Sequence, residues 1–389
     1  MSIDAPIHLD FVHRLRFTQD VFDAPNGSLA GVIESDAPPA RCLLCLDAGV
    51  ADCWPNLAHQ AIDYARRHAD RLTFAAEPIT LPGGERAKND PAVLERLLRA
   101  IHDARLCRRS YLIVVGGGAV LDVVGYGAAT AHRGIRLIRI PSTTLSQDDS
   151  GVGVKSGVNA FGKKNYLGTF AVPWAVINDE QLLTTLSERD WRAGFSEAVK
   201  VALLKDPALF DGIERNAGVI RARDMNAAVP IIRRSAELHL DHIARGGDPF
   251  EFLRARPLDF GHWAAHKLEQ LTQFDLTHGD AVAIGLALDV TYARLARLLD
   301  GATTGRIIRC LDALGFPLSH PRLADPDLMA GLEEFREHLG GRLTITLLRA
   351  VGEPIDVHAM DATLVRNAAE ELLTRHPAPA ANGYHRSAT

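Results

Sequence analysis

Positive charge is in short supply: 43 lysines and arginines face 48 aspartates and glutamates, for a formal net charge of −5. Such a balance gives no overall pull toward a nucleic-acid backbone, so any basic cluster must be local and suited to a small anion. Long apolar runs are missing as well. No window approaches the roughly 18 residues a membrane span needs, and the opening MSIDAPIHLDFVHRLRF lacks the apolar core of a secretion signal. Cysteine is scarce: Cys42, Cys45, Cys53, Cys107 and Cys310 are odd in number and lack framework spacing, as reduced thiols would. Cys42 and Cys45 form a CxxC, yet in the strand-like RCLLCLD an offset of three sends them to opposite faces, which suits core packing. No internal repeat, HExxH or GxGxxG is found. A cytoplasmic protein that engages neither membrane nor nucleic acid is expected.

The 389 residues exceed one ordinary core, so two domains are expected, and 47% hydrophobic with 23% charged residues is a globular composition. Strand and helix alternate in the first half. Cys42–Asp47 reads as a strand, 48–65 as a helix and 72–76 as a second strand. The loop LPGGERAKND, with Gly83, Gly84, Glu85 and Lys88, then precedes the helix PAVLERLLRAIHDARL. This is the pattern of a parallel α/β sheet. Tyr111–Val115 is an apolar strand that runs into Gly116, Gly117 and Gly118 before another helix. Bare backbone N–H groups and a helix dipole at one point suit an anion such as a dinucleotide pyrophosphate, although a plain tight turn has the same appearance. After a strand at 135–140 comes the small, polar loop PSTTLSQDDSGVGVKSGVN, followed by Lys163, Lys164 and Asn165 among glycines. With Lys155 these form either a phosphate cradle or a solvated basic surface. From about Asn178 the periodicity turns helical and little strand signal returns before LTITLL at 343–348. The expected organisation is an α/β, Rossmann-like domain over 1–177, a mostly helical domain over 178–373, and a Pro/Ala/Gly-rich, disordered tail over 374–389.

Within GHWAAHKLEQLTQFDLTHGDAVAIG, His262 and His266 stand one helical turn apart and His278 opens the next apolar-periodic run. Two imidazoles on one face could collect a metal, for which a carboxylate from elsewhere is wanted. They could equally be half-buried helix histidines.

The motifs GGGAVLD (Gly116–Asp122), AHRG, PSTTL, GVK, GKKN, GFSEAVK and the two histidine segments occur in an order that resembles the sugar phosphate cyclase family, which includes the 3-dehydroquinate synthases. The resemblance runs from about Asp47 to about Leu348. It implies a divalent metal, zinc with cobalt as the other candidate, held by Glu197, His262 and His278, with His266 as a neighbouring proton-transfer residue. It implies NAD contacts at Asp47, Glu85, Lys88, Gly116, Gly117, Gly118, Asp122, Thr143, Thr144, Lys164 and Thr185. Phosphate would be bound by Lys155, Asn165 and Arg133, the last reaching across a homodimer interface. Asp149 and Lys200 would contact substrate hydroxyls. Enzymes of this kind oxidise one alcohol of a phosphorylated keto-sugar with NAD⁺, eliminate phosphate, reduce the ketone again and close a ring by an aldol step. The metal serves as Lewis acid and no net redox results. Such an enzyme is a carbon–oxygen lyase acting on phosphates.

Departures from the 3-dehydroquinate synthase pattern bear on the substrate. Where those enzymes carry Arg-x-x-x-Asn ahead of FGH, this chain reads ARPLDFGH, with Ala255 and Asp259 at the two positions and Arg254 and Arg256 flanking the gap. Their Lys-Lys pair near the C-terminus is replaced by FREHLGGRL, placing His338 or Arg336 there. Loss of cations and gain of an acid disfavour a substrate carboxylate. These residues resemble sedoheptulose 7-phosphate cyclases of the valiolone-forming branch, which points to a heptulose 7-phosphate turned into a seven-carbon cyclitol. A 3-dehydroquinate synthase, which also retains His266, a metal-dependent polyol or glycerol dehydrogenase, and an inert cyclase-like binding protein are the alternatives.

Overall fold

The computed structural model describes residues 3–250, 257–338 and 341–377. Two compact units result: the first runs to Ser146 and resumes over Ser150–Thr185, and the second takes Gln147–Asp149 and the chain from Leu186 onward. Among the described residues of the first unit the strands are β1 (Leu15–Thr18), β2 (Ala40–Asp47), β3 (Leu72–Phe74), β4 (Ile79–Leu81), β5 (Tyr111–Gly116), β6 (Arg136–Pro141), β7 (Lys155–Ala160), β8 (Lys163–Phe170) and β9 (Ala175–Asp179). Seven of them form one sheet in the order β1-β9-β6-β5-β2-β3, with β4 following β3 along β2, and every pairing is parallel.

Parallel strands need crossovers, supplied here by α1 (Ala48–Cys53), α2 (Leu57–Arg67), α3 (Arg86–Asn89), α4 (Pro91–Asp103) and α5 (Gly118–Thr130). Period-two alternation divides the core. Cys42, Leu44, Ile113 and Ile138 pack on one face with Ala61 and Tyr64 of α2; Leu43, Cys45, Val114 and Leu137 pack on the other with Leu97 of α4 and Val120 of α5. The two thiols are buried in core, as their offset implied.

Four expectations need correction. The helix expected over 48–65 is two helices, because Pro55 removes a backbone donor and breaks it at 54–56. The polar loop after β6 contains β7, which pairs antiparallel with β8 as a separate hairpin. Its glycines and lysines hid the alternation. A boundary at 178 would cut the buried strand β9, and the units part between Thr185 and Leu186 instead. Finally, Thr374 and Arg375, assigned to the tail, complete the last helix; the remainder of that tail from 378 lies outside the described residues.

The second unit holds α6 (Glu188–Lys205), α7 (Pro207–Arg221), α8 (Met225–Arg245), α9 (His262–Leu271), α10 (His278–Leu295), α11 (Gly301–Ala313), α12 (Ala330–His338) and α13 (Ala362–Arg375). Strands β10 (Ile345–Ala350) and β11 (Glu353–Val357) form an antiparallel pair. α10 is buried without interruption from Gly279 to Ala293, which an apolar helix without a polar face demands. No described helix is long and apolar enough to cross a membrane.

Candidate functional site

Three helix segments converge on Glu197. It lies in α6, 2% exposed. His262 opens α9, where Gly261 serves as N-cap at φ 79°, a left-handed conformation glycine adopts without cost. His278 opens α10 behind Thr277, whose hydroxyl accepts from the Asp280 amide. The Nε2 atoms of His262 and His278 face the same Glu197 Oε1 at 3.4 and 3.5 Å. Those separations are long for hydrogen bonds, and Oε1 has no hydrogen-bond partner among the described residues, while the Lys200 ammonium takes up Oε2. The three ligand atoms lie within 4.8 Å of one another, as around an ion bonded at about 2.0–2.2 Å to each.

The opposite ring nitrogens are also engaged. His262 Nδ1 bonds the Phe260 carbonyl at 3.0 Å, and His278 Nδ1 faces Glu269 Oε2 at 3.3 Å. Such partners fix the tautomer that leaves Nε2 free to ligate, so this donor set fits a divalent metal with an open position. His266 is exposed and stands beside the pair, its ring 5.4 Å from that of His262 and 6.0 Å from that of His278. With Glu269 and His278 it makes a second set of neighbouring ligand atoms, but one that shares His278 with the first.

The surroundings are densely charged. Burial pushes the Glu197 carboxyl up, but Lys200 and the two histidines outweigh it and hold the group well below the usual carboxylate range. The Lys200 ammonium pairs with Glu197 Oε2. Burial lowers its pKa, yet Glu197, Asp149 and Asp259 raise it past the ordinary lysine value. Asp149 is bound by His239 Nδ1 at 2.9 Å, and it ends below its ordinary value although burial and Glu197 push upward. Next to it, Asp148 is fully buried with neither oxygen hydrogen-bonded among the described residues; burial, Asp149 and Glu197 raise it far above the carboxylate range. Asp259 is half-buried, and its Oδ2 has no hydrogen-bond partner among the described residues.

In the first unit, β5 delivers Gly116 and Gly117 to the start of α5. Gly117 is the N-cap and offers no side chain, and Gly118 is the first helical residue, so the leading amides of α5 are uncapped. Asp47, 8% exposed, accepts from Gly49 N at 2.9 Å and Gly117 N at 3.3 Å, tying this turn to β2. The Thr143 methyl sits 3.4 Å from where a Gly117 β-carbon would lie. Lys88, buried, pairs with Asp122 at 2.7 Å and touches Asn165 Oδ1. Asn159 joins this group, donating to Glu85 at 2.6 Å and accepting from Asn165 N at 2.8 Å. The structure thus brings Glu85, Lys88, Asp122 and Asn165 together, and Asp47, Thr143 and the glycines together.

Thr144 is buried, and Thr185 accepts from Trp54 Nε1 at 3.1 Å. Lys155 on β7 is exposed, and Lys164 on β8 is half-buried. Arg133 is exposed in a left-handed turn at φ 62° after α5. Arg336 is paired with Glu333, one turn earlier in its own helix. The backbone of His338 closes α12, while its side chain, like Arg254, Ala255 and Arg256, lies outside the described residues.

Five functional neighbours were missed by sequence reasoning. Asp148 sits inside the polar loop, and His239 and Asn159 carried no local signal. Glu269 follows His266 at i+3. Asp289 is a lone acid in the apolar run of α10; it accepts from Gly261 N at 3.0 Å and Trp263 Nε1 at 2.9 Å, gripping the chain on both sides of His262.

A parallel α/β unit with an uncapped glycine turn, paired with a helical unit presenting a buried glutamate to two histidines, defines a class of dinucleotide- and metal-type enzyme fold. Known proteins narrow it. Residues 78–193 match the model for the 3-dehydroquinate synthase N-terminal domain and residues 194–336 that for its C-terminal domain. A 3-dehydroquinate synthase of Rhodopseudomonas palustris (strain BisB18) is 33% identical over 87% of this chain and 89% of its own length. A 2-epi-5-epi-valiolone synthase of Streptomyces glaucescens is 32% identical over 92% and 91%. The solved structure of a 2-epi-5-epi-valiolone synthase from Streptomyces hygroscopicus subsp. jinggangensis, with NAD⁺ and Zn²⁺ bound, superposes with a TM-score of 0.86 at 28% identity, covering 96% of this chain and all of that one. The chain belongs to the 3-dehydroquinate synthase-like family of sugar phosphate cyclases.

Proposed function

We propose that this chain is an NAD- and zinc-dependent cyclase that converts a heptulose 7-phosphate without a carboxylate, sedoheptulose 7-phosphate, into a seven-carbon cyclitol with loss of inorganic phosphate. Glu197, His262 and His278 hold the metal. When bound, NAD⁺ supplies a reversible hydride acceptor and the metal a Lewis acid. The glycine turn at Gly116, Gly117 and Gly118 receives the dinucleotide pyrophosphate, with Asp47, Glu85, Lys88, Asp122, Thr143, Thr144, Lys164 and Thr185 around the rest of the cofactor. Lys155 and Asn165 grip the substrate phosphate, joined by Arg133 of a second copy in a homodimer. Cations there stabilise the charge that grows on the departing phosphate. Lys200 and Asp149 orient hydroxyls, and His266, exposed beside the ligand pair, carries protons.

The substrate choice rests on Asp259. One of its oxygens is buried without a hydrogen-bond partner among the described residues, and its charge already acts on Lys200. A substrate carboxylate brought to that acid would meet repulsion where 3-dehydroquinate synthases offer Asn, whereas a polyol would donate a hydroxyl to it. A dehydrogenase reading accounts for the metal set but not for Lys155 and Asn165. Protein loaded with zinc and NAD⁺ separates the two. Phosphate release from a heptulose 7-phosphate with no accumulating NADH supports the cyclase; NADH accumulating from a polyol refutes it.

A further inference from the structure

Arg139 occupies the middle of β6, fully buried between Ile138 and Ile140. A guanidinium in a core is costly unless its donors are met. Burial draws its pKa down to about 10 even with Asp122 opposing. What meets the donors of the two terminal nitrogens is one short segment, while Nε has no hydrogen-bond partner among the described residues. Nη1 donates to the carbonyls of Gly151 at 3.1 Å and Gly153 at 2.7 Å. Nη2 donates to the Lys155 carbonyl at 3.0 Å and the Ser156 hydroxyl at 2.8 Å. The slot is tight: a β-carbon on Gly125 would come within 3.2 Å of Nη2 and collide with Ser156 Oγ.

This segment enters β7 and carries Lys155, exposed among Gly151, Gly153 and Gly157. Lys155 is the first residue of β7, directly after the glycine-rich stretch 151–153, and a long side chain there would lose much entropy on gripping an anion if that entry to the strand were loose. We infer that Arg139 is a positioning residue for phosphate recognition: its forked donors fix the Lys155 backbone, so that the ammonium is held ready for the anion. The inference rests on the proposed role of Lys155. It also explains the residue type, since only a planar fork reaches four acceptors spread over six residues.

The test uses the full chain loaded with zinc and NAD⁺, titrated with inorganic phosphate and assayed for KM and kcat on the phosphorylated substrate. Arg139→Lys, with one ammonium in place of the fork, should weaken phosphate binding and raise KM by about tenfold. It should leave NAD⁺ affinity unchanged, and any fall in kcat should be no larger than the fall Lys155→Ala causes. Ser156→Ala, which removes a single acceptor, should act in the same direction by about two- to threefold and keeps the proposal testable if Arg139→Lys does not fold. Either variant introduced on top of Lys155→Ala should add little to the loss that Lys155→Ala causes alone, because both act through one group. A folded Arg139→Lys or Ser156→Ala that binds phosphate as the parent does, or losses that multiply fully with Lys155→Ala, would overturn it. If Lys155→Ala alone leaves phosphate binding intact, the phosphate assignment itself fails instead.

Discussion

Gly285 of α10 packs directly on the carbonyl of Gly261, so that no β-carbon fits at 285, and one at 261 would come within 2.9 Å of the Leu286 amide. This backbone-to-backbone contact sets the distance between the helices that start with His262 and His278.

Gly285→Ala should therefore spread α9 from α10. A cost of about 3 kcal/mol in stability is expected from the overpacking. Metal affinity should fall by about tenfold or more, since the ligands move with their helices. Chemical denaturation and chelator competition read the two effects separately.

Asp289 gives a pH signature. Burial raises its carboxyl to about 7, against the pull of its bonds from Trp263 and Gly261. Because the folded value exceeds the unfolded one, near 3.9, its stabilising contribution is complete below about pH 4 and is lost as pH rises through 7. Asp289→Asn is neutral throughout. Relative to that variant, the parent should lose about 4 kcal/mol between pH 4 and pH 8; a pH-independent difference in unfolding free energy would show that Asp289 titrates normally.

His278→Ala should abolish stoichiometric metal. Elemental analysis is expected to find about one zinc per chain in the parent and a small fraction of that in the variant. Equal metal content in both would move the centre elsewhere.

Lys155→Ala should weaken binding of the phosphorylated substrate by about tenfold to a hundredfold while sparing NAD⁺, because it removes one charge-assisted contact of about 1.5–3 kcal/mol. Equal loss of both ligands would refute the assignment of Lys155 to phosphate.

Much of this site is readable in local pattern. The apolar Tyr111–Val115 ahead of three glycines is a strand, turn and helix start in the structure. Thr277 before His278 caps the helix its position implied. What local pattern does not carry is pairing over distance. Arg139 looks like a misplaced charge in LIRIP until the loop 12 to 17 residues later folds over it. Asp289 looks out of place in α10 until Trp263 and Gly261 arrive from α9. The β7–β8 hairpin escaped because its burial is slight along β8, where five of eight residues are exposed and none is fully buried; its register comes from the partner strand and not from its own composition.

One side-by-side assay bears most directly on the identity of the substrate. Zinc- and NAD⁺-loaded protein is offered sedoheptulose 7-phosphate and 3-deoxy-arabino-heptulosonate 7-phosphate at equal concentration, and phosphate is followed. Asp259 predicts release from sedoheptulose 7-phosphate faster by about a hundredfold or more in kcat/KM, with no net change in NAD. Turnover of the carboxylated sugar to dehydroquinate, with sedoheptulose 7-phosphate inert, would contradict it.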